Sequence, residues 1–355
     1  MTLECRSCGR TYAAGADEPW RCDCGHALDF ANRTLPDPGE VDASRGLWAF
    51  ADFLPTTPEV TLGEGFTPLT DAADWDAEFK LDFVFPSGSY KDRGATVLLS
   101  RAASLGVERV LEDSSGNAGA AVAQYAARAG IDADIYVPAD AKPSKLRAIE
   151  AAGATPVRVE GSRGDVTDAC IDAVEAGEGW YASHAWNPGF YAGTETFAYE
   201  LAVQRDMDVP DAVVLPLGHG TLFLGAYRGF RRLRDAGWTD SVPRLYGVQA
   251  AGVAPIANRL HADEGGENSV ADGIQIADPA RAGQLLDAIK ATNGDAIAMD
   301  ADTTREELER LHDHGFYCEP TSAVAPAGLR AYRERGDIGA GEDVVVPLTG
   351  SGLKT

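Results

Sequence analysis

From about residue 61 the chain alternates short apolar runs with longer segments whose apolar positions recur every three or four residues. The runs VERVLED, IDADIYVPA, TPVRVEG, DAVVLPLG, RLYGVQA and DVVVPLTG have the length and β-branched content of strands. Between them ATVLLSRAASLG, GNAGAAVAQYAARAG, PSKLRAIEAAG, TLFLGAYRGFRRLRDAG and REELERLHDHG carry the helical period, and the second is expected to end at Gly130. Near-continuous apolar strands separated by helices predict parallel sheets covered on both faces, an α/β architecture. Residues 36–60, rich in Pro, Asp and Gly, read as a connecting arm with one apolar patch, GLWAFADFL. Residues 1–35 read as a separate module, and 36–355 as the main region with a smaller α/β domain at about 95–190 within it.

The module is defined by its cysteines. CRSCG and CDCGHAL place Cys5 and Cys8, then Cys22 and Cys24, in two close pairs, each followed by glycine. Such knuckles turn the backbone so that N–H groups face thiolate sulfur, and two of them make a four-thiolate zinc site. All four positions being protein, such a metal is structural. The plainer alternative is four reduced cysteines in a turn-rich segment. Cys170 and Cys318 stand alone, which speaks against a disulfide-stapled secreted fold at this length.

Charge narrows the partners. The chain has 55 acidic and 31 basic residues, a formal net charge of −24. Such a surface repels nucleic acid and anionic membranes, so neither is expected to bind. Only six of the basic residues are lysine: Lys80, Lys91, Lys142, Lys145, Lys290 and Lys354. Dispersed acid with scarce lysine suggests adaptation to high intracellular salt, where screening lengths are short. No apolar stretch reaches membrane-spanning length and the N-terminus lacks a signal-peptide core, so a cytoplasmic location is expected.

In doubly covered sheets, ligands sit beyond the carboxyl ends of strands. Four loops placed there are rich in small polar residues: PSGSYKD, DSSGNAG, PLGHGTL and PLTGSG. Gly218 and Gly220 in PLGHGTL let backbone N–H groups at a helix start approach an anion, although GxG at such a junction is as often only a tight turn. It is not a dinucleotide fingerprint, and no P-loop occurs. DSSGNAG offers more hydroxyl and amide groups than one helix cap needs, which suits an α-carboxylate. Lys91 stands where a helix begins. The positive end of that helix is a poor place for an ammonium and favours a nucleophilic amine, whereas the ordinary alternative is a solvated lysine paired with Asp92. A phosphate cradle, a carboxylate cradle and an activated lysine together fit pyridoxal phosphate chemistry.

SGSYKDRG, SSGNAG, GHGTL, CEPTSAV and LTGSGLK, in this order, resemble the threonine synthase branch of the fold-type II (tryptophan synthase β-like) pyridoxal phosphate enzymes, and the N-terminal knuckles resemble those of its archaeal-type members. The resemblance implies two parallel-sheet α/β domains with a zinc-ribbon-like module. It implies Lys91 as covalent anchor of the cofactor and proton carrier, and Asn117 as partner of its 3′-oxygen. Gly218, His219, Gly220, Thr221 and Leu222 would wrap its phosphate, and Thr349 would face its ring nitrogen. Ser114, Ser115 and Ser87 would bind substrate, and Glu319 would order the wall beside the cofactor. The implied reaction is loss of phosphate from O-phosphohomoserine and addition of water to give threonine. A homodimer is the expected assembly.

The pattern departs from that branch at Phe85, Ser87 and Tyr90. It departs again in HAWNPGFYAGTETFAYEL, where Phe190 or Tyr191 stands for arginine and Glu195 for lysine. Loss of cations and gain of a carboxylate speak against a dianionic substrate. Lys142, Lys145, Arg147 and Arg163 are the substitutes considered. The alternative is a threonine or serine dehydratase-like lyase acting on an unphosphorylated hydroxy amino acid. A non-catalytic sensor would have no chemical reason to keep Lys91, Asn117 and Thr349.

Overall fold

A computed structural model describes residues 1–31, 33–262 and 265–354. The chain forms two compact units. One comprises Met1–Pro36, Asp42–Gly65 and Lys91–Thr194, and the other Asp37–Val41, Phe66–Tyr90 and Glu195–Thr355.

The first unit contains a small antiparallel sheet in which Thr2–Glu4 lies between Thr11–Ala13 and Asp29–Phe30. Its second sheet has four parallel strands in the order Thr155–Val159, Asp132–Pro138, Arg109–Glu112, Trp180–Tyr181. The helices Lys91–Ser104, Asn117–Ala129 and Pro143–Ala151 cover it. Leu98, Leu99, Val110, Tyr125, Ile135, Val137, Ile149 and Phe190 form one buried core. The expected connecting arm carries a helical element on its apolar patch. Ala43–Phe53 is a 3₁₀-helical stretch kinked at Gly46, and it buries Leu47, Trp48, Phe50 and Phe53. Leu47 and Trp48 share a core with Leu3, Leu28, Phe30 and Val97, so the apolar patch is the seat of the cysteine module.

The second unit holds a six-stranded sheet in the order Asp295–Met299, Arg244–Ala250, Ala212–Pro216, Val344–Pro347, Ala77–Lys80, Leu69–Ala72. Five strands are parallel, and the edge strand Leu69–Ala72 is antiparallel to its neighbour. Every residue of Ala212–Pro216 and Val344–Pro347 is buried, as central strands covered on both faces require. Val214, Val248, Ile297 and Val346 pack against Val324, Leu329 and Tyr332 of the helix Pro320–Arg335. At the inner end of the edge hairpin, Lys80 and Glu200 form a fully buried ion pair of 2.5 Å. Thr67 joins it: its N–H donates to Glu200 at 2.6 Å, its carbonyl accepts from Lys80, and its hydroxyl donates to Asp82 at 2.7 Å.

Among the described residues no helix is long and apolar enough to cross a membrane.

Candidate active site

In the second unit, three of the polar loops leave neighbouring parallel strands at their carboxyl ends. They are Leu217–Gly220 after Ala212–Pro216, Leu348–Gly352 after Val344–Pro347, and Leu81–Tyr90 after Ala77–Lys80. The backbone knits them together. Tyr90 N–H donates to the Thr349 carbonyl at 2.9 Å, and Ser351 N–H to the Gly88 carbonyl at 2.9 Å. The Tyr90 hydroxyl lies 2.8 Å from Thr221 Oγ1 at the start of the helix Thr221–Asp235. The CEPTS segment joins the same cluster. Ser322 Oγ accepts from the N–H groups of Thr349 and Gly350, both at 3.0 Å, and stands 3.2 Å from the Thr349 hydroxyl. Glu319 N–H donates to the Gly350 carbonyl at 2.8 Å, so this glutamate sits against the turn that carries Thr349.

Gly220 opens the helix in the left-handed conformation, φ 75°, and offers no side chain to cap it. A Cβ there would come within 2.4 Å of Leu285, so glycine is required on both counts. His219 is half-buried and Leu222 buried. Ser89 is fully buried, and its hydroxyl has no hydrogen-bond partner among the described residues. Phe85 is buried, whereas Ser87 keeps part of its surface.

In the first unit, the loop after Arg109–Glu112 carries Ser114 and Ser115 into the helix Asn117–Ala129. Its N-cap is Gly116, again without a side-chain cap, and Ser114 Oγ accepts instead from the Gly116 N–H at 3.2 Å. Elsewhere Ser162 with Asp165 and Asp300 with Thr303 cap their helices through side chains. In the helix Asn117–Ala129 the cap residue itself, a glycine, supplies no side-chain acceptor. Because all four strands are parallel, Lys142, Lys145, Arg163 and His184 lie beyond carboxyl ends on this same edge.

Lys91 begins the helix Lys91–Ser104, with its Nζ 5.9 Å from the centroid of the Phe190 ring. Asp92 is fully buried and accepts from the Tyr125 hydroxyl at 3.3 Å, so its carboxylate serves the core rather than a solvated lysine pair. Gly94 faces Phe190 so closely that a Cβ would sit 2.3 Å from the ring, and a Cβ on Gly193 would sit 2.0 Å from the Arg93 carbonyl. The helices Lys91–Ser104 and Pro188–Thr194 thus touch backbone to backbone and fix the ring beside Lys91.

One buried group at this edge has no motif of its own in the sequence. His184 Nδ1 is 2.6 Å from Glu112 Oε1, its backbone N–H donates to Oε2 at 3.1 Å, and both side chains are buried. Burial first, then Asp113 beside it, pushes the Glu112 carboxyl well above its usual range, while the His184 N–H, Lys91 and Arg163 pull it down. The signal available was the acidic pair Glu112–Asp113 at the end of an apolar strand.

The residues that depart from the expected pattern have structural roles. Phe190 and Tyr191 are core residues, and the Tyr191 hydroxyl donates to the Ala185 carbonyl at 3.0 Å. Glu195 is buried, with Arg232 Nε at 3.2 Å and the Tyr199 hydroxyl donating at 3.0 Å. It is a paired carboxylate, so the repulsion expected of it is largely cancelled.

The four cysteine sulfurs of the module lie within 4.8 Å of one another, with Cys5 and Cys22 buried and Cys8 and Cys24 exposed. Gly9 and Gly25 take φ of 72° and 85°, as the knuckles require. The Cys24 backbone N–H, then the Tyr12 hydroxyl, lowers the Cys22 thiol to about 6. A zinc–sulfur bond near 2.3 Å suits four thiolates at this spacing.

A family model described as pyridoxal-phosphate dependent enzyme matches residues 60–350. The chain is thus a pyridoxal-phosphate dependent enzyme, of fold type II. The threonine synthase of Methanocaldococcus jannaschii is 32% identical over 379 residues, covering 100% of this chain and 93% of that protein. That of Methanosarcina acetivorans is 35% identical over 377 residues, covering 99% and 92%. The chain belongs to the threonine synthase family. Among solved structures, maize serine racemase superposes with a TM-score of 0.69 at 20% identity, covering 81% of this chain and 88% of that one. The processed form of tomato (Solanum lycopersicum) threonine deaminase isoform 2 gives 0.69 at 23%, covering 90% and 87%. These two show the shared fold.

Proposed function

We propose that the chain converts O-phosphohomoserine and water to threonine and phosphate. The observation that carries this reading is similarity to threonine synthases along the whole chain, the cysteine module included. When bound, pyridoxal phosphate withdraws electrons from the substrate carbons. Lys91 holds the cofactor covalently and moves protons on and off those carbons. The N–H groups of Gly218, His219, Gly220, Thr221 and Leu222 bind its phosphate, Asn117 its 3′-oxygen and Thr349 its ring nitrogen. Ser114, Ser115 and Ser87 bind the substrate. Support comes from the two helix starts whose cap residues, Gly116 and Gly220, supply no side-chain cap and from the buried Ser89 hydroxyl, which has no partner among the described residues; these are features suited to a bound anion.

The pairing of Glu195 with Arg232 removes the main objection to a phosphorylated substrate, and Lys142, Lys145 and Arg163 supply cations on the edge that carries Ser114. Residues 1–35 serve as a module in which Cys5, Cys8, Cys22 and Cys24 hold structural zinc. Residues 36–355 form the catalytic region, with a smaller α/β part at about 95–190. The partner is a small amino acid rather than nucleic acid. The protein works in the cytoplasm as a homodimer adapted to high salt.

The test is a product assay on purified enzyme in high potassium chloride, with O-phosphohomoserine, threonine and serine offered in parallel. Phosphate and threonine released in equal amounts is the expected result. Oxo acid from threonine or serine, with phosphohomoserine untouched, refutes the reading and makes the chain a dehydratase.

A further inference from the structure

The loops behind Lys91 hold a pair that the roles above do not use. Glu112 ends a central strand of the four-stranded sheet, and His184 follows its neighbour Trp180–Tyr181, so the sheet brings the two together. The 2.6 Å contact is short for a bond to nitrogen, and both side chains are nearly removed from water. The His184 backbone N–H holds the other carboxylate oxygen, so carboxylate and imidazole are mutually fixed. Beyond the imidazole, the His184 ring meets Phe190 edge to face with centroids 6.0 Å apart, and Lys91 Nζ stands 5.9 Å from that same ring. The order Glu112, His184, Phe190, Lys91 is therefore continuous within one unit.

We propose that Glu112 and His184 are positioning residues for Lys91, holding one shared proton that sets the charge behind the lysine while seating the aromatic ring beside it. This rests on the assignment of Lys91 as the cofactor's anchor, but not on which amino acid is the substrate. Desolvation gives the pair its leverage. A proton lost there leaves a buried negative charge that favours a positive lysine, and a proton kept leaves none. The charged and titratable groups that act on Glu112 or feel its charge include Asp113, Lys91, Arg163, Tyr181 and Cys170. Asp113 is fixed in turn by the hydroxyls of Thr167 at 2.7 Å, Tyr181 at 3.1 Å and Ser183 at 3.4 Å.

Two variants separate charge from shape. Glu112→Gln keeps an acceptor for the imidazole and removes the titratable oxygen. His184→Asn keeps a donor at the Nδ1 position and removes the ring. In protein without added cofactor, proton NMR should show one far-downfield imidazole N–H that is absent from His184→Asn and moves upfield in Glu112→Gln. In protein loaded with pyridoxal phosphate, the pH midpoint of the visible absorbance change linked to the lysine should fall by about one unit in Glu112→Gln. Neither readout needs an amino-acid substrate, so failure of the product assay leaves this test standing. A midpoint that stays within about 0.3 unit of the parent, even with a lowered Tm, reduces the pair to a structural contact and overturns the proposal. If Glu112→Gln does not fold, the same criterion is applied to the midpoint of His184→Asn.

Discussion

Replacing Gly94 by alanine adds one methyl group at the tightest point beside Lys91. The added Cβ would lie 2.3 Å from two carbons of the Phe190 ring and 2.5 Å from a third. Ordinary contact between carbons is about 3.5–4.0 Å, so ring or helix must move by more than about 1 Å. Neither has room. Phe190 is fully buried against Leu98 and Leu99, and on the same interface Gly193 lies directly on the Arg93 carbonyl. Overpacking of this kind costs about 1–3 kcal/mol. Gly94→Ala should therefore lower the urea midpoint and take several degrees from Tm, and it should weaken cofactor retention because the displaced ring flanks Lys91. Gly283→Ala is the matched control. A Cβ on Gly283 meets nothing within 4 Å, and its helix should gain up to about 1 kcal/mol. Phe190→Leu combined with Gly94→Ala should recover part of the loss, since the two sites share one contact. Equal stability of Gly94→Ala and parent, with cofactor retained, would refute the packing argument.

Two further tests bear on stability. Lys80→Met strands the buried Glu200 carboxylate and should cost about 3–5 kcal/mol in denaturant unfolding, whereas Lys80→Met with Glu200→Gln should recover most of it; equal losses would mean the pair does not act as a unit. Metal analysis should find one zinc per chain, lost in Cys8→Ser and Cys24→Ser. Strong chelation should lower Tm without releasing pyridoxal phosphate. Acid should release the zinc as well, because protons compete with the metal for the four thiolates.

Local rules determined much of this protein from sequence alone. Strands such as Val344–Pro347 are apolar throughout because both faces are covered, and helices such as Asn117–Ala129 carry an unmistakable period, so the α/β class and element order were legible. The cysteine knuckles and the small-residue turns were legible for the same reason, since their geometry is dictated within a few residues.

Tertiary structure decided the rest, where a residue's role depends on a partner far along the chain. GLWAFADFL looks like a linker patch until Leu3, Phe30 and Val97 arrive to bury it. Glu195 reads as a bare negative charge until Arg232, 37 positions away, pairs with it. His184 has no local signature at all. Only the parallel register of Arg109–Glu112 with Trp180–Tyr181 brings it to Glu112. Charge and hydrogen bonding act through space at a few ångströms, and the fold alone chooses which residues stand that close.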